Sequence, residues 1–320
     1  MEQSSRLANF PISWFASVMG LSGLTIVWER VATQFFPGLP VAPLLLLAAV
    51  VLFLALSTIY GLKILRYPQA VRQELNHPIK LSFFPAFSIS LILIATAGLQ
   101  HAPGLSHVLW LAGSGLHLLF TFYVMSAWIH HEHFEIQHIN PAWFIPVVGN
   151  ILVPLAGVQH GYMEISWFFF SIGVVFWGVL LAIIFYRMLF HAPLPGKLLP
   201  TLFILIAPPA VGFLAYQQLN GGELDTLARI LYHIGLFLTL LLLTQVRRFL
   251  RLQFFLSWWA YSFPLAAITT ATLVYGQQIE SPGLIAFGGV LVVLVTGVII
   301  TLVGLTAAAV RRHGICVEEE

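Results

Sequence analysis

The chain has 320 residues, of which 59% are hydrophobic, 14% aromatic and only 8% charged, with 14 Lys and Arg against 12 Asp and Glu. A soluble fold is excluded: globular domains carry about a quarter charged residues, and a mean hydropathy of +0.92 leaves too few polar groups to cover a surface in water. A net charge of +2 without a basic run disfavours nucleic-acid binding, and the single cysteine, Cys316, excludes an intrachain disulfide.

Apolar stretches bounded by charge, proline or glycine fall at about 10–28, 41–65, 82–100, 107–128, 142–158, 165–188, 199–217, 226–246, 254–275 and 283–310. At a rise of about 1.5 Å per residue these lengths suit a hydrocarbon core of about 30 Å. The expected fold is therefore an all-α integral membrane protein: ten transmembrane helices in a single domain over residues 1–320, with short tails at about 1–9 and 311–320. The N-terminal MEQSSRLANFPISW lacks the charged region and small-residue cleavage site of a signal peptide, so the first span is expected to be retained.

The spans alternate in character. The second, fourth, sixth, eighth and tenth are smooth, whereas the third, fifth, seventh and ninth hold proline well inside, as FFPAFSIS at Pro85, WFIPVVGN at Pro146, IAPPAVGF at Pro208 and Pro209, and YSFPLAAI at Pro264. The first departs from this, with WFASVMGLSG placing Phe15 and Ala16 where a bulky residue and proline would stand, and Pro11 earlier. From 85 to 146, 146 to 209 and 209 to 264 the steps are 61, 63 and 55 residues, the length of a helical hairpin with its loops, so the chain reads as five repeated hairpins. A proline inside a membrane helix frees a carbonyl that hydrocarbon cannot satisfy. The broken helices are therefore expected around a central path, and the smooth ones facing lipid.

Basic residues set the orientation. Arg6, Lys63, Arg66, Arg72, Lys80, Arg187, Lys197, Arg247, Arg248, Arg251, Arg311 and Arg312 fall on the face shared by both termini, against Arg30 and Arg229 on the other. Positive residues mark the cytoplasmic side, which predicts a multi-pass protein of the cell (inner) membrane with both termini in the cytoplasm. No Asp, Glu, Lys or Arg falls in the middle of a span, which disfavours the proton relays and ion-coupled pumps that place ionisable groups there and favours passive permeation. It also disfavours a cation pore built on carboxylate rings, while the N–H groups exposed at a broken helix suit an anion.

Other residues offer weaker chemistry. His130, His131, His133 and His138, with Glu132 and Glu135, could ligate a metal or form a solvated amphipathic connection. His117 and His233 could face each other across a haem or act as structural histidines, and the latter reading is preferred. Asp225 and Arg229, spaced i, i+4, read as a helix-terminal ion pair. No phosphate loop, nucleophile elbow or metalloprotease signature is present in the sequence, so the reading assigns no enzyme activity, metal or cofactor.

The segments NHPIKLSFFPAFSI (76–89), NPAWFIPVVGN (140–150), GELDTLARILYHIGLF (222–237) and SWWAYSFPLAAITTAT (257–272) resemble, in this order, the TehA and plant slow-anion-channel family, also described as tellurite-resistance and dicarboxylate transporters. The resemblance implies a homotrimer whose protomers each form a quasi-five-fold ring of hairpins around their own anion pore. It also implies a phenylalanine plug in the ninth helix, which by its place in WWAYSFP is Phe263. Phe15, Phe84, Ile145 and Pro208 hold similar places before the break in the other repeats, and together with Pro85, Pro146, Pro209 and Pro264 they are the candidate pore-lining residues. The expected partners are small anions and the lipid bilayer, and the alternative function is a secondary carrier for dicarboxylate, sulfite or tellurium oxyanions.

Overall fold

Proline and small polar residues decide where the membrane helices of this chain change character. The computed structural model describes residues 6–130, 134–312 and 314–316. A 3-10 turn at Ile12–Trp14 leads into α1 (Phe15–Gln34), followed by α2 (Val41–Arg66) and the short α3 (Pro68–Asn76). A second 3-10 segment, Lys80–Phe83, precedes α4 (Ala86–Ala97), which is followed by α5 (Pro103–His130). The third such unit is broken throughout: α6 (Phe144–Val148), a 3-10 stretch at Gly149–Leu152 and α7 (Pro154–Gly157), before the long α8 (Met163–Phe190). A 3-10 run at Leu199–Ile206 feeds α9 (Ala207–Leu219), then come α10 (Thr226–Leu243) and the short α11 (Val246–Leu250). Finally Leu256–Tyr261, again 3-10, opens α12 (Ser262–Gln278), and α13 (Pro282–Arg311) closes the chain. Most of the described residues are helical, with no strand among them.

Among the described residues, eight helical segments of 18 to 30 residues are long and apolar enough to cross a membrane. Pro141–Gly157 is apolar but shorter, and a 3-10 stretch at Gly149–Leu152 interrupts it. α12 has 17 residues and carries Thr269, Thr270, Thr272, Gln277 and Gln278, which dilute its hydropathy.

The broken segments share one recurring contact. In each, a side chain returns a hydrogen bond to the carbonyl three residues back: Ser17 to Trp14 at 2.6 Å, Ser88 to Pro85 at 2.9 Å, Asn150 to Val147 at 2.7 Å, Thr201 to Leu198 at 2.5 Å and Ser262 to Trp259 at 2.6 Å. These bonds lie at or beside the changes between 3-10 and α geometry, and they add a side-chain donor to carbonyls such as those of Pro85, Leu198 and Trp259 that already accept from the backbone. Even the first unit, which lacks an internal proline, makes this switch.

Burial separates two classes of helix. The membrane-length segments Ile12–Gln34, Lys80–Ala97 and Leu199–Leu219 are 61–72% buried, whereas those of α2, α5, α8, α10 and α13 are 22–39% buried and present Leu, Val, Ile and Phe outward. Among the inner segments, α1 packs against α4 and α12, α4 against α7 and Gly149–Leu152, and these against α9, which packs against α12. Small residues allow the close approach: a Cβ on Gly20 of α1 would stand 2.1 Å from Ser262 Oγ of α12, and one on Gly173 of α8 would stand 2.9 Å from the Ile151 backbone nitrogen. Such seams of small residues are how membrane helices gain van der Waals contact without a hydrophobic drive.

Candidate functional site

Every inner segment turns an i, i+3 or i+4 stripe toward the molecular axis, and two cavities lie along it. The first, about 1140 Å³, opens on the side that carries both described chain ends: Ala8, Asn9, Pro11 to Trp14 and Gly314 to Cys316 are part of its wall. Deeper in, its lining includes Met19, Ile89, Leu152, Val211 and Phe263, drawn from five different inner segments. The second, about 290 Å³, lies toward the C-terminal ends of the inner helices and is lined by Gly23, Leu93, Leu155, Val211, Phe263 and Ala267 among others. Phe263 and Val211 line both cavities, so these two side chains stand where one cavity gives way to the other.

Phe263 is 8% exposed and lies on the first turn of α12, beside Pro264. Gly23 leaves room for it: a Cβ there would meet the Phe263 Cδ2 at 3.1 Å and Ala266 Cβ at 3.0 Å. The ring is thus seated against the backbone of α1. The surrounding surface is apolar, with no charged side chain between residues 15 and 28 of α1 or anywhere in α4, 141–157, 199–219 or 256–278.

Charge gathers at the ends. The larger cavity is lined by Lys63, Lys80 and Lys197 against Glu74. Lys63 Nζ lies 2.6 Å from Glu74 Oε2 and donates to the Phe10 carbonyl at 2.8 Å. Glu74 also accepts from Tyr60 OH at 3.0 Å and from the Ile12 N–H at 2.7 Å. This buried cluster ties the N-terminal segment to α2 and α3 at the cavity wall. Cys316 lies in the same wall, its thiol pushed up by burial. The smaller cavity is lined by Arg30 and Glu29 with a set of glutamines and threonines.

The sequence profile of the voltage-dependent anion channel family matches residues 9–307. The chain belongs to this family. It is 30% identical over 309 residues to S-type anion channel SLAH2 of Arabidopsis thaliana, covering 94% of this chain and 59% of that protein. It is 31% identical over 283 residues to S-type anion channel SLAH3 of the same plant, covering 86% of this chain and 44% of the relative. The chain therefore spans about half the length of these plant channels. The Tellurite resistance protein TehA homolog of Haemophilus influenzae is 27% identical over 281 residues, with 87% of this chain and 85% of that one covered.

Within this voltage-dependent anion channel fold, Phe263, Ile145, Pro208 and Pro264 line the larger cavity. Phe15, Phe84, Pro85, Pro146 and Pro209 line neither cavity. Phe15 is fully buried in a cluster of rings, edge-on to Phe53, Tyr60 and Phe87, and Phe84 lies edge-on to Tyr60. The physical reason is packing: in the first two units the rings of Phe15 and Phe84 join the cluster of Phe53, Tyr60 and Phe87, away from the cavity. The Pro146 carbonyl instead accepts from Thr121 Oγ1 at 2.8 Å.

Three further expectations change. The first membrane helix does not end near 28 but runs to Gln34, which carries Glu29 and Arg30 into the wall of the smaller cavity. Asp225 and Arg229 make no ion pair: Asp225 caps α10 by accepting from the Ala228 N–H at 2.9 Å, which lowers its carboxyl pKa, and Arg229 donates to Tyr275 OH at 3.4 Å. Of the histidine cluster, His131, Glu132 and His133 lie outside the described residues, while His130 bonds the Ser126 carbonyl and His138 accepts from the Glu135 N–H. Among the described residues no group of three or more potential ligands could hold a metal. His117 is hydrogen-bonded to Ser88 and His233 to Tyr275, separate partners that suit structural roles.

Sequence reasoning missed the glutamines. Gln34, Gln100, Gln159, Gln218 and Gln278 stand 66, 59, 59 and 60 residues apart, one near the end of each inner segment, a repeat as regular as that of the prolines. Gln100, Gln159, Gln217 and Gln218 line the smaller cavity, Gln34 bonds Gln277 at 2.5 Å, and Gln278 bonds Gln217.

Proposed function

We propose that this protein conducts small anions down their gradient through a neutral pore that joins the two cavities, and that the Phe263 ring closes the pore. The observation that carries this is that Phe263 lines both cavities. A rigid apolar ring across a narrow path excludes water, and with it any hydrated ion, by dewetting. Three lysines against one glutamate at the larger mouth favour anion entry, since field lines focus in a low-dielectric cleft.

The pore is proposed to run through a quasi-five-fold ring of hairpins. The neighbour relations among the inner segments support this, since the path α1, α4, Gly149–Leu152, α9, α12 returns to α1. On this reading Pro141–Gly157 and the α12 unit complete a set of ten membrane segments. Both chain ends lie in the cytoplasm, in keeping with the distribution of basic residues, and three protomers assemble into a homotrimer in the cell membrane, each with its own pore. The alternative is a secondary carrier for dicarboxylate, sulfite or tellurium oxyanions, favoured by the separation of the cavities, which suits alternating access.

Phe263→Ala should raise chloride or nitrate current in oocytes or liposomes by about tenfold or more, the effect of removing roughly 1.4 kcal/mol of barrier. Equal currents in wild type and variant would remove Phe263 from the gate. Flux that saturates with substrate and follows a proton gradient would select the carrier.

A further inference from the structure

We infer that the smaller cavity holds a binding site for one small monovalent anion, built on Arg30 with amide donors from Gln100, Gln159 and Gln218. The inference deepens the permeation reading and rests on it for the site's place on the ion path, though not for the site's existence.

Arg30 is half-buried on α1 and lines the cavity. Its Nε is fully buried without a hydrogen-bond partner, and its guanidinium forms no ion pair among the described residues. In the cavity that Arg30 lines, an anion would supply the charge partner that the described residues do not. Gln218 of α9 and Gln100 and Gln159, in the turns that follow α4 and α7, line the same space, and each offers two N–H donors. The neighbouring glutamines are already engaged, Gln34 with Gln277 and Gln217 with Gln278 and the Glu223 carbonyl, so the donors left over are those that face the cavity. About 290 Å³ is the volume of on the order of ten waters, enough for a small anion that keeps part of its hydration shell.

Charge sets the valence. Glu29 lines the same cavity and bonds His101 at 3.0 Å. Its carboxylate offsets much of the Arg30 field; attraction by the weak field that remains grows only in proportion to an anion's charge, whereas the cost of stripping its water grows with the square, so a monoanion is favoured over a dianion. The guanidinium presents parallel N–H groups that match two coplanar oxygens, so a planar oxyanion such as nitrate should bind more tightly than a sphere such as chloride.

The test uses the purified full-length chain in detergent, titrated with sodium nitrate at constant ionic strength with a bulky sulfonate as balance, and read by thermal unfolding, since a ligand of the folded state raises the melting temperature saturably. Arg30→Gln should shift half-saturation upward by about tenfold or more, as loss of a charge-assisted hydrogen bond does, and Glu29→Gln should shift it downward. Arg30→Lys, which keeps the charge and loses the fork, should retain binding but lose the preference for nitrate over chloride. If Arg30→Gln does not fold, the opposite shift of Glu29→Gln and the lost preference of Arg30→Lys still decide. Curves for these variants that superimpose on wild type would overturn the site. Loss of nitrate stabilisation in Arg30→Gln, with no anion current through Phe263→Ala, would leave the site standing and overturn the pore.

Discussion

Lys63 and Glu74 are 3% and 6% exposed, with their charged atoms 2.6 Å apart, and they illustrate what a single buried residue does here. Removing one partner of such a pair leaves the other desolvated and uncompensated, at a cost of about 3–5 kcal/mol. Glu74→Gln should therefore lower the melting temperature in detergent steeply, and should free the Phe10–Ile12 segment, whose backbone N–H and carbonyl both end in this cluster. Replacing both residues by apolar ones of similar volume should cost less; a double variant as unstable as the single one would show that the tether, not the charge balance, dominates. None of this is legible in the sequence, where Lys63 is only one basic residue in a count by membrane face. At the same scale Phe263 could be found because a motif marks it, whereas Phe15 and Phe84 hold the matching place in their own repeats yet pack into the ring cluster around Tyr60.

The helix is the scale at which the sequence speaks most clearly and errs most in packing. Proline marks the broken units, and runs of Leu, Val and Ile mark the smooth ones, because these are properties of single residues and their neighbours. That a 3-10 segment precedes the α portion, with a serine, threonine or asparagine returning to the carbonyl three residues back, depends on where each residue sits against its neighbours. The seam between α1 and α12 shows how tight that fit is. Gly20→Val would place a Cβ 2.1 Å from Ser262 Oγ, and overpacking of this kind costs about 1–3 kcal/mol or more. The expected outcome is a clear loss of thermal stability in detergent, partly restored by Ser262→Gly, which removes the atoms the new side chain would strike. A second substitution without effect would show that the strain is relieved elsewhere.

At the scale of the whole molecule, hairpins must be held edge to edge. One seam joins the turn after α7 to the start of α5: His160 Nε2 lies 3.0 Å from Ser106 Oγ, His107 Nε2 lies 3.0 Å from Tyr162 OH, the two imidazole centroids are 5.0 Å apart, and Trp110 stacks on Tyr162 at 5.0 Å. Burial, and then the neighbouring His107, lower the His160 pKa. The folded state thus favours neutral His160, and its contribution to stability is complete above the unfolded value of about 6.5 and is lost as the pH falls through the lower folded value. The melting temperature should fall on acidification below about pH 6.5, and His160→Gln should flatten that part of the profile. An unchanged slope in the variant would assign the acid sensitivity to another group.

What the sequence by itself determined is the medium, the alternation of smooth and broken helices and their repeat, because each follows from local hydropathy and from proline's missing N–H. What only the tertiary structure decided is which face of each broken helix meets the axis, that α1 extends far enough to carry Arg30 into a cavity, and that Phe263 and Val211 lie between two cavities. Those facts depend on contacts between residues hundreds of positions apart, such as Gly23 and Phe263, and no one stretch of chain encodes them.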